Sequence, residues 1–273
     1  MSLNVKNIVF IIPVGAEKER ALEIAIKRDK NSFPHDIYLI TQHHNETYRD
    51  KGRSFVNYVY SRLRNDFPQT QIKIIGCDDY FNIFELIACY RWIYEQHKGD
   101  QVYINVGSGS KISAMAGTLV SGLYPSIKCY YPKEQVLDSF ELLNFDKPAF
   151  ISQGIFEIPV FKIEKLKDEL IVALDFLTKK HHCTKRELLD YLTNDDVSII
   201  KKTQKGSKKN RSDQSLFNIL KRNFVDPLIE QNIITEESGE LFITEEGIRL
   251  NLVYNKRDFH VEDSDIPLQF SFY

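Results

Sequence analysis

The sequence predicts an α/β protein, with a doubly wound, mainly parallel sheet in residues 1–158 and a winged helix-turn-helix domain in residues 159–273. Two observations support this fold class. In the first half, short β-branched apolar runs alternate with amphipathic segments, whereas the second half has three helical segments followed by a hairpin pattern. The chain has 273 residues, of which 42% are hydrophobic, so each half can bury a core of its own.

The first half is expected to form a Rossmann-like sheet of parallel strands. Amphipathic helices are expected between the strands, as where apolar residues recur every four positions from Phe55 to Phe67. Strands that alternate with helices are joined by right-handed crossovers, and their ligands bind beyond the carboxyl ends of the strands. The expected strands cover residues 7–14, 37–40, 72–75, 102–106 and 127–131.

The loop after the fourth strand has the composition of an anion site. It consists of Gly107, Ser108, Gly109, Ser110 and Lys111. Glycines let backbone amides approach a ligand, hydroxyls donate further hydrogen bonds, and the helix start and Lys111 add positive charge. The expected ligand group is therefore a phosphate, although a tight Gly/Ser turn that binds nothing is the alternative. The spacing fits neither a Walker P-loop nor the dinucleotide fingerprint, which argues against an NTPase or an NAD enzyme.

Two other segments are expected to line the same pocket. Pro13, Val14 and Gly15 follow the first strand, which neighbours the fourth strand in the usual doubly wound order. Gln42 and His43 follow the second strand and could touch the ligand there. A tight turn without ligand contact explains the first segment equally well.

No metal or other cofactor is expected. The adjacent histidine pairs of the chain lack partners at ligand spacing, and the four cysteines are widely separated. This cysteine usage fits a reducing cytoplasm better than a secreted protein. Since no apolar run is long enough to cross a bilayer, no membrane association is expected either.

The second half has the element order of a winged helix-turn-helix domain, in which residues 233–244 would form the wing. Residues 179–222 hold 12 basic and five acidic side chains, a surplus that attracts a polyanion such as double-stranded DNA. The expected DNA contacts are Lys201, Lys202, Lys205, Lys208, Lys209, Arg211, Ser215, Asn218, Lys221 and Arg222.

Two features oppose this DNA-binding interpretation. The expected wing is acidic, with Glu236, Glu237 and Glu240, and DNA phosphates repel such a surface. The basic loop is also longer than most helix-turn-helix connections. The alternative is a small helical domain with a solvated lysine-rich loop, used for dimerisation or partner contact.

These motifs together resemble those of the CARF (CRISPR-associated Rossmann fold) transcriptional regulators. The resemblance rests on Phe10–Gly15, on Gly107–Lys111 and on the element order of the C-terminal domain, and it covers most of residues 5–145. It implies a homodimer that binds a cyclic oligoadenylate, typically of four nucleotides, while its winged helices bind promoter DNA. It also implies that the Gly107–Lys111 loop holds ligand phosphates and that Val14 and Gly15 line the pocket. The expected function is a cyclic oligoadenylate-sensing transcriptional regulator associated with a CRISPR system.

Other functions stay open beside this one. Some CARF domains cleave their ligand, and here Ser108, Ser110 and Lys111 could orient and stabilise attack by a ribose 2′-hydroxyl, so a metal-independent ring nuclease is the alternative. The loop contains no histidine to act as general base. An effector nuclease is disfavoured, because the sequence has no Asp/Glu-x-Lys triplet and no Arg-x4-His motif. A regulator that responds to another sugar or nucleotide is a third possibility.

Overall fold

The computed structural model describes residues 6–24, 33–42, 51–134, 152–201, 212–256 and 259–262. Contacts divide the chain into two compact units, Met1–Glu164 with Arg257–Tyr273, and Lys165–Lys256. The sequence places a boundary after residue 158 and assigns everything beyond it to the second domain. In the structure, the backbone amide of Ile163 still donates to the carbonyl of Gly122, and residues 260–262 pair with a strand of the first unit.

The first unit is a seven-stranded sheet with helices between its strands. The sheet has the order β10-β3-β2-β1-β4-β5-β6, in which β1 to β5 are parallel to one another. The edge strands β6 and β10 are antiparallel to their neighbours. In chain order the elements are β1 (Ile8–Pro13), α1 (Lys18–Ala21), β2 (Asp36–Gln42), α2 (Lys51–Asp66), β3 (Gln71–Cys77), α3 (Ile83–Gln96), β4 (Gln101–Asn105), α4 (Lys111–Leu123), β5 (Ile127–Glu134), β6 (Ser152–Ile158) and, near the end of the chain, β10 (His260–Glu262).

The predicted doubly wound sheet is confirmed, and its central strands show why the sequence reveals it. Val9, Phe10, Ile11 and Ile12 of β1 are fully buried, because helices cover both faces of a parallel sheet. The strand order reverses between β1 and β4, so the loops that follow these strands flank the crevice where doubly wound sheets bind ligands.

The second unit is a helical domain with a small antiparallel sheet of order β7-β9-β8. Side chains cap the starts of two of its helices: Thr184 and Glu187 accept from each other's backbone amides at the start of α6, and Ser212 caps α7. Its elements are α5 (Asp168–Lys180), β7 (His182–Thr184), α6 (Lys185–Leu192), α7 (Asp213–Leu220), a π-helical turn (Lys221–Val225), α8 (Asp226–Glu230), β8 (Ile234–Glu237), β9 (Glu240–Ile243) and α9 (Glu245–Asn255).

A core of leucines on one face of each helix holds this second unit together. Leu174 and Leu177 of α5 pack with Leu188 of α6 and Leu220 of α7, and all four are fully buried. The sequence predicts a kink or break at Pro227. The chain remains helical there, because Pro227 lies in the first turn of α8, where a missing backbone amide costs little, and a π-helical turn precedes it.

Within the described part of the chain, no helix combines the length and the apolar composition that crossing a membrane requires.

Candidate functional site

The loops that follow β1 and β4 meet at the carboxyl edge of the sheet. β1 and β4 are hydrogen-bonded neighbours, so these loops leave the sheet side by side. A Cβ added to Gly15 would lie 3.0 Å from the Cα of Gly109, and one added to Gly109 would lie 2.6 Å from the Cβ of Pro13. The structure therefore brings Pro13 and Gly15 against the Gly107–Lys111 loop, as the strand order predicts.

Two glycines of the Gly107–Lys111 loop have no room for a side chain. Gly109 has φ +76°, and a Cβ there would lie 2.5 Å from the Tyr80 hydroxyl and 2.7 Å from Ser113 Oγ. A Cβ on Gly107 would lie 2.5 Å from Cδ of Pro132 in β5. The loop is therefore confined between the end of β5 and the loop that joins β3 to α3, and its backbone conformation depends on glycine.

Hydrogen bonds from inside the protein fix the two ends of this loop. The side chain of Asn105, which is fully buried, accepts from the Gly107 amide (3.0 Å) and donates to the carbonyl of Arg20 in α1 (2.9 Å). At the other end, Ser110 Oγ accepts from the Ser113 amide (3.0 Å), and Ser113 Oγ accepts from the Ser110 amide (2.9 Å). The Ser110 hydroxyl oxygen thus forms the N-cap of α4.

Ser108 differs from Ser110, because its hydroxyl is buried without a hydrogen-bond partner among the described residues. Only 2% of this residue is exposed. An unsatisfied buried hydroxyl costs about 1–3 kcal/mol, and such a group in a native protein needs an explanation. A ligand oxygen bound at the loop would remove this cost.

Lys111 is the charged residue of the loop, and it is exposed in the first turn of α4, a helix of 13 residues. The N-terminal end of a helix carries partial positive charge, so a lysine there is unfavourable until an anion is bound. The helix end, Lys111 and the Ser108 hydroxyl make this loop a candidate site for an anion such as a phosphate diester.

Of the residues expected after β2, only Gln42 belongs to the described part of the chain, and His43 lies outside it. The side-chain amide of Gln42 donates to the Asp78 carbonyl (2.5 Å) and accepts from the Tyr80 amide (2.8 Å). Gln42 therefore positions the loop that carries Tyr80 to Gly109. Val14 is buried, and its amide donates to the Ile40 carbonyl at 2.9 Å.

The sequence analysis missed three residues of this site. The hydroxyl of Tyr80 lies against Gly109. Burial raises the pKa of this hydroxyl, which favours its neutral form. Arg20 of α1 hydrogen-bonds the hydroxyl of Tyr131, whose ring lies 3.1 Å from a Cβ placed on Gly107. Only the position of Arg20 in the helix after β1 could have suggested it, since helices that follow strands begin at the ligand-binding edge.

The expected DNA-binding residues of the second unit lie in two segments. Lys201 is exposed, and so are Asn218, Lys221 and Arg222 along α7 and the π-helical turn, whereas Ser215 is half-buried. Outside the described residues lie Lys202, Lys205, Lys208, Lys209 and Arg211.

Two basic side chains of α6 form ion pairs with acidic side chains of this unit. Arg186 forms ion pairs with Asp190 (3.2 Å) and Asp213 (3.0 Å), and Lys185 pairs with Glu236 of the wing at 2.5 Å. Part of the wing's negative charge is thereby balanced within the domain.

Two family models match this chain, one within each of the two structural units. Residues 8–135 match a family model described as "HFX_2341_N:-like, N-terminal", and residues 169–249 match the DUF6293 C-terminal winged helix domain. The predicted winged helix domain is thereby confirmed. No curated protein matches the chain.

Solved structures with similarity to this chain include two that hold cyclic oligonucleotides. Enterococcus italicus Csm6, bound to cyclic hexa-2′-fluoro-hexa-dAMP, matches with 12% identity and a TM-score of 0.39, over 84% of this chain and 57% of that one. Can2 from Sulfobacillus thermosulfidooxidans, in complex with cyclic tetra-adenylate, matches with 14% identity and a TM-score of 0.34, over 90% and 64%.

A third similar structure is protein VC1899 from Vibrio cholerae, with 16% identity and a TM-score of 0.36, over 89% of this chain and 64% of that one. This chain therefore spans less than two thirds of the length of each of these proteins.

Proposed function

We propose that this protein is a homodimeric receptor for a cyclic oligoadenylate and that its winged helix domain binds DNA, so that the chain acts as a ligand-responsive transcriptional regulator of a CRISPR system. The observation that carries the proposal is the Gly107–Lys111 loop at the reversal point of the sheet. Its glycines are sterically required, the Ser108 hydroxyl is buried without a partner among the described residues, and Lys111 is exposed at a helix start.

The chemistry of this loop suits a phosphate diester better than a neutral sugar. Backbone amides and hydroxyls at a helix start donate hydrogen bonds to anionic oxygens, and the ammonium group of Lys111 adds a full charge. A neutral sugar would gain nothing from the positive charge of Lys111 and the helix end, whereas a phosphate diester would. This argument favours a nucleotide with diester phosphates among the possible small ligands.

A ring-shaped ligand would fit between two copies of the chain. A cyclic tetranucleotide carries phosphates on opposite sides, and a two-fold axis would present the same loop to each side. Lys111, Met115 and Leu119 follow one another at four-residue spacing along α4, and Met115 and Leu119 are 54% and 38% exposed. An apolar stripe that continues from the anion site supports a second copy of the chain as its occupant.

The winged helix domain supports DNA as the second ligand. Asn218, Lys221 and Arg222 are exposed on the helix that such domains insert into the major groove. Amide and guanidinium groups read base edges, and lysines bind phosphates. Because Glu236, Glu237 and Glu240 make the wing acidic, we expect the helix and the basic segment before it to make the phosphate contacts.

The geometry favours binding over cleavage of the ring. Of the residues considered for cleavage, Ser110 already uses its hydroxyl oxygen to cap α4, and the Gly107–Lys111 loop has no histidine to act as general base. Incubation of the protein with cyclic tetra-adenylate is therefore expected to leave the ring intact. Linear products would show that the protein is a ring nuclease.

The test of the regulator is DNA affinity with and without its ligand. A duplex is first selected by the full-length protein from a random pool, and its affinity is then measured by fluorescence anisotropy with cyclic tetra-adenylate, with linear tetra-adenylate and without either. Cyclic tetra-adenylate is expected to change the affinity for DNA at least about fivefold, the low end of typical coupling between two sites. Linear tetra-adenylate is expected to leave the affinity for DNA unchanged. An affinity that the ring leaves unchanged would contradict the proposal.

A further inference from the structure

The loop between β3 and α3, residues 78–82, places an exposed aromatic side chain beside the candidate site. Phe81 is 65% exposed, and its ring contacts the ring of Tyr80 edge to face, with centroids 5.8 Å apart. Tyr80 in turn lies against Gly109, so Phe81 is one aromatic ring removed from the Gly107–Lys111 loop.

This loop is held in a fixed conformation. The buried carboxylate of Glu85 accepts from the amides of Asp78 (2.7 Å) and Asp79 (3.2 Å). The amide of Tyr80 donates to Gln42 at 2.8 Å, and that of Phe81 donates to the Asp79 side chain at 3.0 Å. Each backbone amide from residue 78 to residue 81 thus has a side-chain acceptor, so the loop loses little conformational freedom when a ligand binds.

Phe81 also lies at the carboxyl end of the parallel strands, where the Gly107–Lys111 loop lies. β3 is parallel to β1, β2 and β4, so a residue that follows β3 stands at the carboxyl edge with the Gly107–Lys111 loop. Phe33 offers the opposite case. It is 62% exposed as well, but it precedes β2 and therefore stands at the amino edge.

We infer that Phe81 stacks on a purine base of the oligonucleotide ring whose phosphate is bound at the Gly107–Lys111 loop. The inference rests on the proposed function and adds a base-recognition residue to it. Phosphate contacts do not distinguish one base from another, whereas stacking on an aromatic ring favours bases with a large π-face. Phe81 thus makes the site select adenine rings over rings of pyrimidines.

The experiment compares two matched variants of the full-length protein, Phe81→Ala and Phe33→Ala. Affinities for cyclic tetra-adenylate and for cyclic tetra-uridylate are measured by titration calorimetry. Both side chains are exposed, so neither substitution is expected to lower the melting temperature, which serves as the folding control.

Because one ring is bound between two copies of the chain, Phe81→Ala removes two stacked bases. It is expected to weaken cyclic tetra-adenylate binding at least about 30-fold and to reduce the preference over cyclic tetra-uridylate. Phe81→Tyr is expected to restore binding to within about twofold of the wild type, since it keeps the ring, and Phe33→Ala is expected to bind like the wild type.

Wild-type affinity in Phe81→Ala, or an equal loss in both alanine variants, would overturn the inference but leave the proposed receptor intact. Failure of the wild-type protein to bind cyclic tetra-adenylate would overturn both.

Discussion

The amino and carboxyl ends of the parallel strands differ in how completely their buried polar side chains are paired. At the amino edge, Asp36 accepts from Lys73 Nζ (3.1 Å), Lys73 also donates to the Tyr38 hydroxyl (3.3 Å), and Tyr38 is hydrogen-bonded to His97 (2.8 Å). At the carboxyl edge, the Ser108 hydroxyl is buried without a partner among the described residues. Polar groups that satisfy one another stabilise a fold, whereas groups held ready without partners suit a ligand.

In the hydrogen-bonded network of Asp36, Lys73, Tyr38 and His97, the charged forms of Asp36 and Lys73 are stabilised. Burial opposes the ionisation of Asp36, but hydrogen bonds from His35 and Lys73 outweigh it, and the pKa of Asp36 is lowered. Burial would likewise lower the pKa of Lys73, but Tyr38 and Asp36 beside it raise that pKa. The charged forms of Asp36 and Lys73 are therefore favoured in the folded protein.

The largest effect on ligand affinity is expected from Gly109→Ala, which disrupts the Gly107–Lys111 loop. The new Cβ would meet Tyr80 and Ser113 at 2.5 and 2.7 Å, and φ +76° is strained for alanine, so the loop must move. Affinity for cyclic tetra-adenylate is expected to fall about 100-fold or more, as measured by calorimetry.

Gly99→Ala is the matched control for this prediction. Gly99 also has a positive φ, of +103°, but it lies at the amino edge and a Cβ there would meet nothing within 4 Å. Its backbone strain is therefore similar, while ligand affinity is expected to stay near that of the wild type. Equal losses of affinity in the two variants would show that the crowding at Gly109 does not matter.

Asp36→Asn instead removes the carboxylate that accepts a hydrogen bond from Lys73. At pH 7 it is expected to lower the free energy of unfolding by about 1–3 kcal/mol, the value of a charged hydrogen bond, while affinity for cyclic tetra-adenylate stays unchanged. Urea denaturation at several pH values measures the effect.

The pH dependence of this effect follows from the lowered pKa. Ionised Asp36 stabilises the folded state fully above its ordinary pKa of 3.8, and this contribution is lost as the pH falls through the lowered folded value. The difference between wild type and Asp36→Asn is therefore expected to shrink below about pH 4. A difference that stays constant or grows in acid would contradict the assigned role of Asp36.

The smallest effect is expected from Lys111→Ala, because its exposed ammonium is screened by solvent. Ligand affinity is expected to fall about three- to tenfold at low salt, with less of a loss at high salt. Lys98→Ala, an exposed lysine near the amino edge, is the control and is expected to bind normally. A loss that did not depend on salt would argue against a charge contact.

The central strands of the sheet could be predicted from the sequence, but its outermost strands could not. Central strands such as β1 are buried on both faces, so they appear as continuous apolar runs. β6 contains Gln153 and Glu157, and β10 has only three residues, so neither has a pattern that distinguishes an edge strand from a loop.

The candidate site divides in the same way. Gly107–Lys111 could be predicted, because its glycines, serines and lysine are adjacent in the sequence. Tyr80 and Arg20 could not, because they reach this loop only through the packing of other elements. Gln42 is predicted as a ligand contact, and the structure shows its side-chain amide hydrogen-bonded to the loop of residues 78–80, an arrangement that no local sequence pattern encodes.

A crystal structure of the protein with cyclic tetra-adenylate tests the central claim most directly. The account predicts one ring between two copies of the chain, with its phosphates within hydrogen-bond reach of the Gly107–Lys111 loop of each copy. A ring bound elsewhere, or a complex in which the two copies of this loop lie far apart, would contradict it.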